Sequence, residues 1–345
     1  SSPVLAFYTE DSPHNMANIY PLRALRYTEK AGPLDDVATL PYDVIGPDLE
    51  ADYRARSPYN FVSLILPHGD YDGAAARLKS WVGEGVLAQD NEDALFVYEQ
   101  TFPSPADGVI LTRRGFIGLS DTEDYGKTVF RHERTLSGPK EDRFRLMQAT
   151  EMSLSPVFLL YDLAEDPIMA AWQSGPWSAA EPQCVVDPDG GPRATQTRLW
   201  PVSDPALLET VRSALEGGRF VIADGHHRYE TALRYRRFRQ EQGHSSPASE
   251  YVLAYFSNMA DPALAIYATH RLVKGLDPAS VAALPQTLAR AFAIERLTDG
   301  HDADAALGRF LYAFVQAGVD LSPLVGAGVE HQKANTGDGI FAPHL

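Results

Sequence analysis

The chain has 345 residues, 44% of them hydrophobic and 22% charged, which is the composition of a folded globular protein long enough for two domains. A formal net charge of −16 argues against nucleic acid as the main partner, because affinity for it comes largely from lysine and arginine neutralising phosphates. There is no run of about 18 apolar residues and no charged, apolar leader, so neither a membrane span nor a secretory signal is expected and a cytoplasmic location is.

In chain order, residues 1–15 differ in character from the rest of the chain, and Met16-Ala17-Asn18-Ile19 resembles a natural start; 1–15 are expected to be a leader outside the fold. Residues 60–67 form a β-rich run, 74–86 read as a helix around Leu78 and Trp81, and 94–100 with 110–119 read as a hairpin closed by Pro105-Ala106-Asp107-Gly108. Residues 141–152 have helical spacing at Phe144, Met147 and Gln148, and 156–161 are a strand. The stretch 167–191, rich in Pro, Gly and Asp, is expected to be mostly loop. It contains the one cysteine, Cys184, which can form neither an internal disulfide nor a cysteine-based metal site and is read as structural. Further on, 207–215 are a helix, 219–223, 251–256 and 264–269 are strands, 279–292 and 303–314 are helices, and 330–345 are a polar tail.

The most informative stretch is Val221-Ile222-Ala223-Asp224-Gly225-His226-His227-Arg228-Tyr229, where an apolar strand breaks at Asp-Gly and opens into a polar helix. A glycine there lets backbone come close to a ligand, and the amides in the first turn of the helix present a positive dipole end. Gly225, His226, His227 and Arg228 are therefore candidates for binding phosphate, Arg228 through a guanidinium fork suited to phosphate oxygens. Asp-Gly is also an ordinary turn. Asp224 is read as a magnesium ligand, as the group that orients a turn histidine, or as a plain helix cap. Because His226 and His227 are adjacent, one is expected to face phosphate while the other packs behind it.

A second constellation is His132-Glu133-Arg134-Thr135 followed by Ser137-Gly138-Pro139-Lys140, a turn dense in groups that grip or polarise oxyanions. His132, Arg134, Thr135, Lys140 and Arg143 are candidates for binding substrate or phosphate, whereas a solvated turn lysine is the plain reading of Lys140 and a surface ion pair that of Glu133 with Arg134. Asp43 and Asn60 are read as turn stabilisers. The basic run Arg234-Tyr235-Arg236-Arg237-Phe238-Arg239 reads as a solvated helix face.

Asp224-Gly225-His226-His227-Arg228 resembles the signature of the ParB/sulfiredoxin superfamily, whose members bind nucleotide phosphates at this turn. Its free-serine kinases pair a Pro-His-Glu segment with the later signature, and here Arg131-His132-Glu133 stands in for the former, with arginine in place of proline. The sulfiredoxin branch carries a reactive cysteine where this chain has His226, so that chemistry does not transfer. Pro21-Leu22-Arg23-Ala24-Leu25-Arg26, Pro41-Tyr42-Asp43-Val44-Ile45, Ser57-Pro58-Tyr59-Asn60, His132 to Arg143 and Ala223 to Leu233 are similar to the domain-of-unknown-function 1015 family. Both families continue into a lysine, hydroxyl and proline segment that is not found after Gly318.

The resemblance implies an α+β fold in which a ParB/sulfiredoxin-like nucleotide-binding core at 131–275 follows an N-terminal α/β region at 16–130 and precedes C-terminal helices and the tail at 276–345. It implies a kinase using ATP or ADP with Mg2+ near Asp224 to phosphorylate a small hydroxyl substrate, free L-serine foremost. Glu133 takes the role of base, with Asp224 and His226 beside it in the catalytic set. The alternative is a nucleotide-binding or nucleotide-hydrolysing switch that has no metabolite acceptor. The expected partners are nucleotide and small molecule, with no nucleic acid or membrane; a protein partner is left unspecified.

Overall fold

A computed structural model describes residues 5–7, 19–104, 108–132, 138–182, 184–186, 195–244, 247–264, 275 and 277–290. Among these the fold is mixed α/β. The strands are β1 (Leu5–Phe7), β2 (Ile19–Tyr20), β3 (Arg23–Tyr27), β4 (Leu87–Gln89), β5 (Leu95–Pro103), β6 (Ile110–Asp121), β7 (Val129–Phe130), β8 (Val157–Tyr161), β9 (Cys184–Val186), β10 (Gln196–Val202), β11 (Phe220–Asp224) and β12 (Tyr251–Asn258). The nine α-helices among the described residues are α1 (Leu34–Val37), α2 (Pro47–Arg56), α3 (Val62–Ile65), α4 (Tyr71–Gly83), α5 (Gly138–Thr150), α6 (Pro167–Ser174), α7 (Pro205–Leu215), α8 (His226–Glu241) and α9 (Pro278–Leu288). The described residues up to Leu264 belong to one compact unit and α9 to a second. No helix among them is long and apolar enough to cross a membrane.

A large mixed sheet runs in the order β7-β11-β8-β12-β6-β5-β10-β9, with β2 added onto β6. The pairs β7/β11 and β8/β12 are parallel, and the other neighbours are antiparallel. The expected hairpin is β5/β6, in register from Phe96↔Ile117 to Pro103↔Ile110. Central strands β8 and β12 read as nearly unbroken apolar runs because both of their faces are covered. On one face Leu159, Tyr161, Ile222, Ala254 and Phe256 pack against Val211 and Leu215 of α7 and Tyr229, Ala232 and Leu233 of α8. On the other, Phe158, Leu160, Leu253 and Tyr255 meet Leu22, Ala24 and Ala38 from the N-terminal region. A smaller sheet, β1-β3-β4, accompanies α1 to α4, where Leu25, Val37, Phe61, Leu64, Leu78 and Trp81 form a core of their own.

Three expectations are corrected. Within 1–15, expected to lie outside the fold, Leu5–Phe7 form β1 and pair antiparallel with β3 in the smaller sheet. The β-rich run at 60–67 holds α3: the Asn60 carboxamide accepts from the Val62 amide at 3.0 Å and donates to the Asp36 carbonyl at 2.7 Å, closing a turn that starts a helix. Val62 to Ile65 are all buried, and a short run buried on every side carries no period to separate helix from strand. The expected loop at 167–191 contains α6, whose first two free amides at Ile168 and Met169 are capped by Asp166, and the edge strand β9. In the 264–269 run Leu264 lies outside any strand, and the rest falls outside the described residues, as do 303–314 and the tail.

Candidate functional site

Strand β11 delivers the chain to the signature turn through a bulge. Ile222 pairs with Leu159 and Asp224 with Phe158, so Ala223 is the extra residue, and the shift puts Asp224 in register with Phe158 instead of one residue further on. Gly225 then takes φ 90 and ψ 27, the left-handed conformation in which a side chain is strained, and α8 begins at the next residue. Without a side chain, Gly225 gives the helix no cap, and the amides of a first turn have no acceptor within the helix itself. A second reason for glycine is local: a Cβ there would stand 2.9 Å from the Arg228 Nε. Arg228 folds back over the turn, donating to the Asp224 carboxylate and to the Pro156 carbonyl, and only 11% of its side chain is exposed. The guanidinium read as a phosphate fork is thus held by Asp224 in this state.

Parallel pairing of β7 with β11, Val129↔Phe220 and Phe130↔Val221, carries Arg131 and His132 alongside the bulge. The His132 Nδ1–H donates to the Ile222 carbonyl at 2.8 Å, and its ring stands edge-on to that of His226, with centroids 4.6 Å apart at 83°. His226 is 3% exposed, whereas His132 is exposed. The two sequence constellations, 90 residues apart, therefore meet at this pair of imidazoles.

Helix α5 lies against α8 and adds cations. The Lys140 ammonium pairs with the Glu230 carboxylate, which Arg131 also approaches at 3.8 Å while its guanidinium sits 5.0 Å from the Tyr125 ring centre. Burial, helped by the Glu230 charge, pushes the Tyr125 phenol well above its ordinary value. Arg143 donates to the Ile65 carbonyl at 2.8 Å, pairs with Asp142 and lies 4.2 Å from the Tyr42 ring centre. Burial also raises the Tyr42 phenol, with the Asp43 charge acting in the same direction and those of Arg143 and Arg228 opposing it. Tyr42 thus joins the N-terminal region to α5. Between Arg143 and Arg228 lies a cavity of about 40 Å3 lined also by Met147, Met152, Ser153, Ser155 and Thr231, with room for water and not for a nucleotide.

Of the candidates from sequence, the structure thus gathers His132, Asp224, Gly225, His226 and Arg228 at the turn, with His227 on the first turn of α8 and Lys140 and Arg143 on α5. Glu133, Arg134 and Thr135 lie outside the described residues. Asn60 stabilises its turn as expected. The basic face of α8 is neutralised: Arg234 pairs with Glu141, Arg236 with Glu250, Arg237 with Asp124 and Arg239 with Glu151. Sequence reasoning missed Glu230 and Tyr42. Each lies within a quoted motif, but only the fold shows which distant cation it meets. Among the described residues, no group of three or more His, Cys, Asp or Glu side chains is placed to hold a metal ion.

Fold and site together define a mixed α/β protein whose conspicuous feature is a bulged strand leading through a left-handed glycine into a helix N-terminus. The chain belongs to the family described as Protein of unknown function (DUF1015), which it matches over residues 19–329. No curated protein matches it, and neither does any solved structure.

Proposed function

We propose that the protein binds a nucleotide at the β11–α8 turn and transfers a phosphoryl group to a small hydroxyl substrate, with free L-serine as the first candidate, and that its core is of the ParB/sulfiredoxin-like kind. The observation that carries this reading is the meeting of His132 with Ile222 and His226, which sets Arg131 and His132 beside the glycine-hinged helix start. The charged γ-phosphoryl calls for cations and helix amides on one side and a proton acceptor for the incoming hydroxyl on the other.

In this scheme the phosphates rest on the first turn of α8, and Arg228 exchanges Asp224 for phosphate oxygens. Asp224, released from Arg228, fits a magnesium ion that arrives with the nucleotide, since such ions are held by one or two carboxylates plus phosphate oxygens. When bound, the ion would neutralise charge on the transferring and leaving phosphates. Lys140 and Arg143 stand nearby to receive the substrate carboxylate or the terminal phosphate. The proton acceptor comes from the His132-Glu133 pair, and Glu133 is the member that the kinase resemblance supplies.

The second reading is a nucleotide-operated switch, favoured by the Asp224–Arg228 pair, because a nucleotide that takes Arg228 must break it and so couples binding to the packing beneath Pro156. Phosphorus NMR of the protein with ATP or ADP, Mg2+ and L-serine decides between the two. A phosphoserine resonance that requires serine supports the kinase; phosphate release indifferent to serine supports the switch; and no turnover with either nucleotide sinks the enzymatic reading.

A further inference from the structure

We propose that Nε2 of His132 is the atom on which the substrate hydroxyl docks and to which its proton passes; the assignment rests on the phosphoryl-transfer reading. A backbone carbonyl can only accept a hydrogen bond. Because Nδ1 of His132 faces the Ile222 carbonyl at 2.8 Å, Nδ1 must carry a hydrogen in either charge state of the ring. The neutral imidazole then holds its lone pair on Nε2, at a side chain that is exposed. In that form Nε2 can accept and cannot donate, so it is mismatched to a phosphate oxygen and matched to a hydroxyl. This divides the site: anionic oxygens belong to the first turn of α8, Arg228 and Lys140, and the hydroxyl donor belongs to His132.

The ring is fixed at two points, by the hydrogen bond to Ile222 and by the edge-on contact with the buried His226. The pairing of β7 with β11, which ends at Phe130↔Val221, sets its distance from the helix start. A base held in this way loses little freedom when substrate arrives. In the step itself, the substrate O–H gives its proton to Nε2 while its oxygen forms a bond to the terminal phosphorus. The bond from that phosphorus to the bridging oxygen breaks, and the nucleotide leaves with the electron pair. The imidazolium then returns its proton to water.

The test uses the full chain labelled with 15N. Long-range proton–nitrogen correlation reads the tautomer of each of the ten histidines, and His132 is assigned by the signal missing from His132→Asn. The expected result is hydrogen on Nδ1 and a shift of the Nε2 resonance when L-serine is added with nucleotide. Hydrogen on Nε2, or an Nε2 signal indifferent to serine, overturns the proposal. The asparagine amide can still donate to the Ile222 carbonyl but offers nothing at the Nε2 position, so His132→Asn should keep its nucleotide affinity and lose about 10²- to 10⁴-fold in turnover. Turnover preserved in His132→Asn and lost in Glu133→Gln would transfer the role to Glu133 and overturn the assignment. If the wild-type chain forms no phosphoserine, the kinase reading fails by itself, and the tautomer with its serine response still decides the case for His132.

Discussion

Arg228 reaches back one helical turn to Asp224 across the bare face of Gly225, so the three residues form a single closed unit at the head of α8. Alanine at 225 would meet two obstacles, a φ of 90 that L-residues resist and an Arg228 Nε 2.9 Å from the new Cβ. Gly217 isolates the first, since its φ is 65 and nothing lies within 4 Å of a Cβ there. Gly217→Ala should cost about 1–2 kcal/mol, the left-handed penalty, and Gly225→Ala visibly more. Urea denaturation of both variants checks this, and equal losses would mean that Arg228 moves aside at no cost.

Asp224→Asn leaves the largely buried Arg228 guanidinium without its carboxylate while the Pro156 carbonyl remains. The loss of stability should be about 1–3 kcal/mol, the range for a charged group deprived of its partner. On the proposed reading, nucleotide should still bind, because Arg228 is already released, but Mg2+ should no longer strengthen that binding. Calorimetric titration with and without the ion reads the difference. An undiminished magnesium effect would exclude Asp224 as the ligand.

The elements legible in the sequence are those whose period or punctuation survives in isolation. The β5/β6 hairpin has two apolar runs separated in sequence by Pro-Ala-Asp-Gly, and β11 with α8 has a strand, a glycine and a polar helix. Val62 to Ile65 read as strand because they are buried all round. Strand β10 escapes notice because Arg198 and Pro201 interrupt it; the ladder tolerates Pro201 because, among the described residues, β9 pairs only with Thr197 to Leu199 and asks no amide of position 201. At the site, the residue types at the turn are legible and their partners are not. Lys140 meets Glu230 and Tyr42 meets Arg143 only through the packing of α5, and the bulge that re-aims Asp224 is a matter of register with β8, which leaves no local mark.

The arginines of α8 should differ sharply in importance. Arg237 and Asp124 are both well exposed, and Arg237→Ala should change stability by no more than about 0.5 kcal/mol, as for surface ion pairs in general. Arg234 also pairs with Glu141, but its guanidinium lies 3.7 Å from the centre of the Phe144 ring, where it holds α5 against α8. Its removal should cost about 1 kcal/mol, and most of that loss should persist in high salt, which screens the ion pair more than the ring contact. Equal salt sensitivity of the two variants would count against the ring contact.

Asp142 gives the site a pH dependence whose sign comes from its surroundings. Burial pushes its carboxyl up, but the Arg143 charge and the hydrogen bonds from Arg143 and from the Tyr71 hydroxyl at 2.8 Å outweigh burial and hold it below the ordinary value of 3.8. A group whose folded value is depressed adds stability that is complete above its unfolded value and disappears as pH falls through the folded one. Asp142→Asn should therefore be less stable than wild type at neutral pH by about 0.5–1 kcal/mol, a figure kept small because the carboxylate is partly exposed and screened. The gap should stay constant down to mildly acidic pH and narrow below 3.8. Because Asp142 also steadies Arg143 over Tyr42, the same variant should weaken binding of any anion that Arg143 holds, and denaturation curves at several pH values together with an anion titration test both parts. A stability gap that widens on acidification would show that the carboxylate is raised, and not lowered, by its neighbours.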